Sequence, residues 1–344
     1  MPNLLLSWYD SHARVLPWRA SPGVKPDPYK VWLSEIMLQQ TTVAAVKDYF
    51  LKFTARWPSV QQLAAADTED VMRAWAGLGY YARARNLHAC AQTVAERHGG
   101  RFPATAAELA TLPGIGPSTA AAIASFCFSE RVAILDGNVK RVLTRALGFG
   151  DDLAAGANER ALWDRATGLL PDAGLADAMP RYTQGLMDLG ATVCLARNPS
   201  CLLCPVQPIC QAHAQGTPER YPVKTRKLKR TAQSLWLLHA GTADGAVWLH
   251  KRPTPGVWAG LFCLPVFDSR EQLEAALPLQ LRTLLQDDEP FVHVLTHKDL
   301  HLHPVRLDLP QQEAALPAGG EWFGAQHWPH LGLPAPVRRL LARR

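Results

Sequence analysis

Apolar residues recur at every third or fourth position from the N-terminus to about residue 215, and alternate with polar ones after about residue 232. The first regime predicts helices and the second predicts strands. Leu4, Leu5, Trp8 and Tyr9 mark a short amphipathic helix over Pro2–Asp10. Val31, Trp32, Ile36, Val43, Val46 and Phe50 extend one helical face over Tyr29–Phe53. Further helical patterns cover Pro58–Ala76, Ala82–Arg97 and Leu162–Gly190, the last interrupted by a loop at Pro171–Gly174. In the second regime, Ser234–Leu238 and Val247–His250 flank an Asp244-Gly245 turn and predict a β-hairpin. Trp258–Val266 predicts another extended run, Arg270–Leu277 a helix, and Val292–Thr296 with Leu300–Val305 a second hairpin or meander.

The candidate chemistry lies where these patterns are interrupted. Arg14, Leu16, Pro17, Trp18 and Arg19 precede a loop containing Pro22, Pro26 and Pro28. Two arginines around a tryptophan could clamp a base and its phosphates, or simply stack on the ring at the surface. Gln39, Gln40 and Thr41 carry amides and a hydroxyl able to reach base edges. Gly77-Leu78-Gly79-Tyr80-Tyr81 predicts a tight turn with protruding side chains, suited to wedging between base steps or to capping a core. Leu112-Pro113-Gly114-Ile115-Gly116-Pro117-Ser118 joins two helical patterns and reads as a helix-hairpin-helix. Its glycines permit the tight hairpin, and the N–H groups opening the second helix can bind a phosphate.

Two carboxylates stand out. Glu35 has Val31, Trp32 and Leu38 as helical neighbours, so it leans toward an apolar face where desolvation raises its pKa. A carboxyl that keeps its proton near neutral pH can act as a general acid. Asp136 stands at the N-cap of a helix marked by Val139, Val142, Leu143 and Ala146. There the helix dipole and N–H groups favour its ionised form. The two pKa values are therefore expected to move in opposite directions, a division of labour suited to cleaving a glycosidic bond.

Four of the seven cysteines fall in Cys194-x6-Cys201-x2-Cys204-x5-Cys210. Four thiolates suit a tetrahedral zinc or a [4Fe–4S] cube. Structural zinc sites usually come as two short Cys pairs, and only Cys201 and Cys204 form one, so the spacing argues against zinc. Disulfides and unrelated core thiols are the remaining alternatives. Cys90, Cys127 and Cys263 read as ordinary buried thiols. The 344 residues suggest about two domains, and 48% hydrophobic with 19% charged residues indicates a globular chain. No signal peptide or apolar membrane span is visible, which points to a cytoplasmic, nucleoid-associated protein. The formal charge of +6 leans toward a polyanionic partner. Arg220, Lys224, Arg226, Lys227, Lys229 and Arg230 make 216–231 a basic linker. The expected domains are 1–215, mainly α, and 232–344, α+β. His293, His297, His301 and His303 read as strand and turn residues without a shared metal.

The cysteine spacing resembles the cluster loop of the helix-hairpin-helix DNA glycosylases, which implies one [4Fe–4S] cluster per chain with a structural and DNA-contacting role. The ordered set of segments around Trp18, Glu35, Gly77–Tyr81, Leu112–Gly116 and Asp136, with the cysteines and the β-rich region, resembles the adenine-excising MutY family over nearly the whole chain. That resemblance implies a monofunctional glycosylase, acting as a monomer on double-stranded DNA, that removes adenine mispaired with 8-oxoguanine or guanine. By position, Glu35 resembles the acid that protonates adenine, and Asp136 the carboxylate that stabilises the sugar cation. Arg14, Leu16, Trp18, Arg19 and Gln184 match residues lining the adenine pocket. Gln39, Gln40, Thr41, Leu78 and Tyr80 match those near the opposite base. Gly114, Gly116, Ser118, Asn138 and Lys140 join the DNA-binding set.

Ser118 stands where bifunctional relatives carry a lysine nucleophile, which counts against a glycosylase/lyase, although Lys140 could trap an abasic sugar adventitiously. A non-catalytic cluster protein that binds DNA or transfers electrons is the other alternative. Residues 232–344 resemble a Nudix-like domain that reads 8-oxoguanine. Arg270–Ala276 has too few carboxylates for an active Nudix metal box. The family's Phe-Ser-His recognition loop corresponds to Leu295-Thr296-His297, where Thr296 keeps the hydroxyl and His297 the imidazole.

Overall fold

Helix follows helix through the first 214 residues, as the 3.6-residue period requires: α1 (Pro2–His12), α2 (Pro28–Leu38), α3 (Val43–Arg56), α4 (Val60–Ala64), α5 (Thr68–Trp75), α6 (Ala82–Arg97), α7 (Ala106–Leu109), α8 (Pro117–Phe128), α9 (Gly137–Leu147), α10 (Gly156–Thr167), α11 (Leu175–Thr192) and α12 (Gln211–Ala214). The computed structural model describes all residues except 22, 226–229, 314–315 and 344. Pro22 of the proline loop and Arg226, Lys227 and Lys229 of the basic linker therefore lie outside the described residues. The chain divides into two units, Met1–Ala65 with Asn86–Lys227, and Ala66–Arg85 with Leu228–Arg344. No helix among the described residues is long and apolar enough to cross a membrane.

In the first unit, α11 is the central helix, and α1, α8 and α9 pack on it. Two of its residues must be small. A Cβ on Gly185 would meet Leu5 and Tyr9 of α1 at 3.2–3.5 Å, and one on Gly190 would meet Asn138 of α9 at 2.8 Å. Helix α8 also packs on α11, and its Ala120, Ala121, Ala122 and Ala124 are buried. It also carries a satisfied polar pair, Ser125 Oγ with Thr183 Oγ1 at 2.8 Å. Only Gly114 of the hairpin needs the left-handed region (φ 74°), while Gly116 has φ −83° and N-caps α8.

Two predicted helices are each broken in two. Tyr29–Phe53 splits at Gln39–Thr42, where Gln40 takes φ 55° and the Thr42 hydroxyl accepts the Ala45 N–H at 3.3 Å. A run of four polar residues that ends in an N-cap threonine outcompetes the apolar period on either side. Pro58–Ala76 splits at Asp67 for the same reason, its carboxylate accepting from Glu69 N at 2.6 Å. Residues 215–225 are not a free tether. Tyr221 is buried, its carbonyl accepts from Arg145 Nε at 3.3 Å, and Leu153 N donates to Val223 O at 3.1 Å.

The second unit is built on one mixed sheet of β1 (Thr231–Thr242), β2 (Val247–Lys251), β3 (Phe262–Cys263), β4 (Val266–Phe267), β5 (Gln286–Asp287), β6 (Phe291–Val294), β7 (Lys298–Leu309) and β8 (Gly320–Phe323). Its spine runs β3-β2-β1-β7-β5, with β1 and β7 parallel from Thr231↔Lys298 to Thr242↔Leu309. Both expected hairpins are present, β1–β2 and β6–β7, and the second carries residues 295–297 at its tip. The extended run over Trp258–Val266 is shorter than expected, reduced to β3 and the first residue of β4. Helices α13 (Arg270–Ala275), α14 (Leu279–Arg282) and α15 (Ala335–Leu341) complete the unit. Leu273, Leu277 and Leu281 close its core over Leu238, Val305, Leu307 and Leu309.

The segment Ala66–Arg85 is held in this unit by Arg85 Nη1, which donates to Ala259 O at 2.7 Å, and by the Lys251–Glu69 ion pair. Its turn at Gly77–Tyr81 takes positive φ at Gly77, Gly79 and Tyr80. Arg83 lies over both Trp75 and Tyr80, at 5.3 Å from each ring centre.

Gly114→Ala tests the hairpin. The substitution forces a left-handed alanine whose Cβ lies 2.7 Å from that of Asn86. We expect a loss of about 1–3 kcal/mol in chemical denaturation, with the α8 end of the hairpin losing hydrogen-exchange protection.

Candidate active site

Helices α2, α8, α9 and α11 and the loop after α1 enclose a cavity of about 930 Å³. Arg14, Leu16, Trp18, Arg19, Glu35, Gln39, Gln40, Thr41, Ser118, Asp136, Asn138 and Gln184 all line it. The structure thus brings most of the expected site residues onto one surface, from positions 170 residues apart in the chain.

Glu35 faces the cavity from α2, between the buried residues Ser34 and Ile36. Burial pushes its pKa up to about 8; Asp136 pushes in the same direction, and Arg19 opposes both. Asp136 is the N-cap of α9 and accepts from Val139 N at 2.7 Å. Its pKa was expected to fall, but it is raised. Desolvation outweighs the stabilisation from Val139 N, Asn138 N, Arg141 and Lys140. The capping geometry is as expected; the expected direction failed because a local N-cap argument takes no account of how much protein lies around the carboxylate. The two carboxyls still differ in their surroundings: Asp136 has the Val139 and Asn138 N–H groups with Arg141 and Lys140 against its rise, Glu35 has Arg19, and it is Glu35 that rises to about 8.

The start of α9 is tied to α11 and to the cysteine loop. Arg141 Nη2 donates to Asn138 Oδ1 at 2.9 Å and to Gly190 O at 2.6 Å, and its Nε donates to Cys194 O at 2.7 Å. Ser118 Oγ accepts from Leu135 N at 3.2 Å, which holds the residue before Asp136. Tyr9 OH donates to Gln184 Oε1 at 2.7 Å, fixing that amide in the cavity wall.

Three sequence expectations change. Arg14 and Arg19 are not a surface pair around Trp18, because both bind the fully buried Asp188 while lining the cavity. Trp18 instead packs edge-on against Phe50. Lys140 does not line the cavity and pairs with Glu159 at 2.5 Å. Leu78 does not protrude, being only 7% exposed, whereas Tyr80 is 41% exposed. Leu78, Tyr80, Thr296 and His297 belong to the second unit. There Tyr80 OH and Thr296 Oγ1 are hydrogen-bonded, and Thr296 and His297 are exposed at the β6–β7 tip. His303 stacks on Trp236 and His293 lies against Trp258. Sequence reading missed Asp188 as a site residue. Its one signal was a charge inside the otherwise uncharged stretch Gly185–Gly190.

Cys194, Cys201, Cys204 and Cys210 line a separate pocket walled by Val142, Leu189, Val193 and Val206. All four are free thiols. Among the described residues no group of three or more His, Cys, Asp or Glu is arranged to hold a single metal ion. Burial and mutual repulsion push the Cys204 thiol up to about 11, so four thiolates there require added positive charge. Arg145, 2% exposed, donates to Cys194 Sγ at 3.3 Å and to the carbonyls of Leu195 and Ala196, and no carboxylate pairs with it among the described residues. A buried cation in this position suits an anionic thiolate-bound group.

Residues 33–166 match the HhH-GPD superfamily of base excision DNA repair proteins, and residues 237–343 match the NUDIX domain. The adenine DNA glycosylase of Buchnera aphidicola subsp. Acyrthosiphon pisum (strain APS) is 34% identical over 346 residues, covering 98% of this chain and 96% of that protein. The adenine DNA glycosylase of Mus musculus is 36% identical over 378 residues, covering 93% and 73%. Among solved structures, a thermostable thymine-DNA glycosylase superposes with a TM-score of 0.53 at 28% identity, covering 62% of this chain and 95% of that one.

The raised Glu35 pKa has a consequence for stability. The folded chain holds this proton up to pH about 8, whereas an unfolded glutamate releases it near 4.5. The stabilising contribution is full below about pH 4.5 and is lost as pH rises through 8. Glu35→Gln keeps the shape without the titration. Its stability relative to wild type should grow by about 2–4 kcal/mol between pH 4.5 and 8.5, measured by denaturant titration at each pH.

Proposed function

Because the chain belongs to the adenine DNA glycosylase family, we propose that it excises adenine paired with 8-oxoguanine or guanine in double-stranded DNA, acting as a monomer. It is a DNA N-glycosylase, a hydrolase of the base–sugar bond. The observation that carries the reading is the joint opening of Glu35 and Asp136 onto one cavity, with Glu35 protonated at neutral pH.

The bond to be broken is sheltered inside a duplex, so the adenine must first leave the stack and enter the cavity. Gln184 and Arg14 would donate hydrogen bonds to the base, beside Leu16 and Trp18. Glu35 would give its proton to the adenine ring at N7. The C1′–N9 electron pair then departs with a neutral base, not an anion. Asp136 would lie against the cationic sugar and lower the energy of its positive charge. Water adds its oxygen to C1′ and yields its proton to a carboxylate, leaving an abasic site. Without a lysine at position 118 no imine can form there. The exposed hydroxyls of Tyr80 and Thr296, with the His297 imidazole, are suited to reading the base opposite adenine.

Cys194, Cys201, Cys204 and Cys210 would hold one [4Fe–4S] cluster, with Arg145 compensating its charge. Bound there, the cluster would cross-link the loop after α11 and so support Cys194, whose carbonyl receives Arg141.

Single-turnover nicking after alkali tests the function. Cleavage is expected at adenine opposite 8-oxoguanine and opposite guanine, and not at adenine opposite thymine or at a damaged pyrimidine. Efficient alkali-free cutting at the pyrimidine would favour a lyase. Glu35→Gln should slow base release by about 10²–10⁴-fold while retaining duplex binding. Elemental analysis of anaerobically purified protein should give about four irons per chain, falling in Cys204→Ser. One zinc per chain would overturn the cluster assignment.

A further inference from the structure

Asp188 has no exposed surface, and both oxygens of its carboxylate are engaged. Oδ1 accepts from Arg14 Nε at 2.6 Å and from Arg19 Nη2 at 2.7 Å. Oδ2 accepts from Arg19 Nη1 at 2.7 Å and from Arg14 N at 3.1 Å. Arg19 Nη1 also donates to Arg14 O at 3.1 Å. The bidentate bond fixes the plane of the Arg19 guanidinium, and the paired contacts to Arg14 fix the turn it stands on. Both arginines line the cavity that Glu35 faces.

We propose that Asp188 is a positioning residue: it locks Arg14 and Arg19 into the cavity wall, offsets part of their charge, and thereby sets the field in which Glu35 acts. The proposal rests on the reading of Glu35 as the general acid.

Besides Glu35, the charged residues lining the cavity are Arg14, Arg19, Asp136 and Arg141. Asp136 stands at the start of α9, Arg19 on the loop after α1, and the Cys127 thiol on α8. From α11 the charged residue is Asp188, behind Arg19. Cys127 is uncharged at neutral pH because burial pushes it up to about 12. Burial alone would lower the pKa of Arg19, but its hydrogen bond to Asp188 and the charge of Asp188 raise it, so Arg19 stays cationic throughout. Removing the Asp188 charge leaves the Arg19 field uncompensated, which favours ionised Glu35. Removing the Arg19 charge does the opposite.

The measurement is the pH profile of single-turnover adenine release opposite 8-oxoguanine, in the full-length protein. Activity should fall as pH rises and Glu35 loses its proton. In Asp188→Asn this alkaline limb should move down by about one pH unit, the effect of one charge about 12 Å away at an effective dielectric near 20. In Arg19→Gln it should move up, and in the double variant it should return toward wild type even if the rate is lower. A purely structural role for Asp188 would lower rate or stability without moving the limb. If Asp188→Asn does not fold, Arg19→Gln alone decides. A folded Asp188→Asn with the wild-type limb, or an Arg19→Gln limb that stays in place, overturns the proposal. A wild-type protein that releases no adenine would overturn the functional reading instead, before any variant is compared.

Discussion

The closeness with which α11 admits its neighbours governs the site. At Gly190 a single hydrogen in place of a side chain lets the first turn of α9 approach to van der Waals contact with the helix backbone. That approach lets Arg141 reach Asn138, the Gly190 carbonyl and the Cys194 carbonyl at once. Asp136 therefore stands at a point held from three directions: its own helix, α11 and the cysteine loop. Gly185 does the same for α1, and the Tyr9 hydroxyl that arrives there orients Gln184. One helix carries the contact that seats the carboxylate, the amide that faces the cavity, and the buried anion that holds two arginines.

The electrostatics follow from this packing. Enclosing two carboxylates in one cavity raises both pKa values, and each ionised carboxylate makes the second ionisation harder. What separates them is the distribution of donors. Asp136 has the N–H groups of α9 and the fields of Arg141 and Lys140, whereas Glu35 has Arg19, whose charge is largely taken up by Asp188. Burial thus holds a proton on Glu35 up to pH about 8. The same accounting explains Arg145, a buried cation placed among carbonyls and one thiol sulfur.

The second unit solves a different problem. A long parallel pair, β1 with β7, stabilises the sheet from within, so the β6–β7 hairpin can leave residues 295–297 at its edge without weakening the core. The turn at Gly77–Tyr81 shows a related trade. Positive φ at three of its five positions exposes Tyr80, and Arg83 over the Trp75 and Tyr80 rings holds the turn in that shape.

Local chemistry alone determined a good part of this protein. The N-cap role of Asp136, the tight hairpin at Gly114–Gly116, the long α6, the β1–β2 and β6–β7 hairpins and the grouping of four cysteines all depend on residues close in sequence, and each was legible there. The apolar neighbours of Glu35 likewise announced its raised pKa, because they lie on its own helix. Tertiary structure decided whatever depends on distant partners. Arg14 and Arg19 meet Asp188 across about 170 residues of chain, so their motif could not reveal that a buried carboxylate holds them in the cavity wall. Lys140 turns to Glu159, Leu78 turns inward, and Asp136 is desolvated by elements its own helix does not contain. Charge, burial and hydrogen-bond supply at a point are sums over everything packed around it, and that sum exists only once the chain has folded.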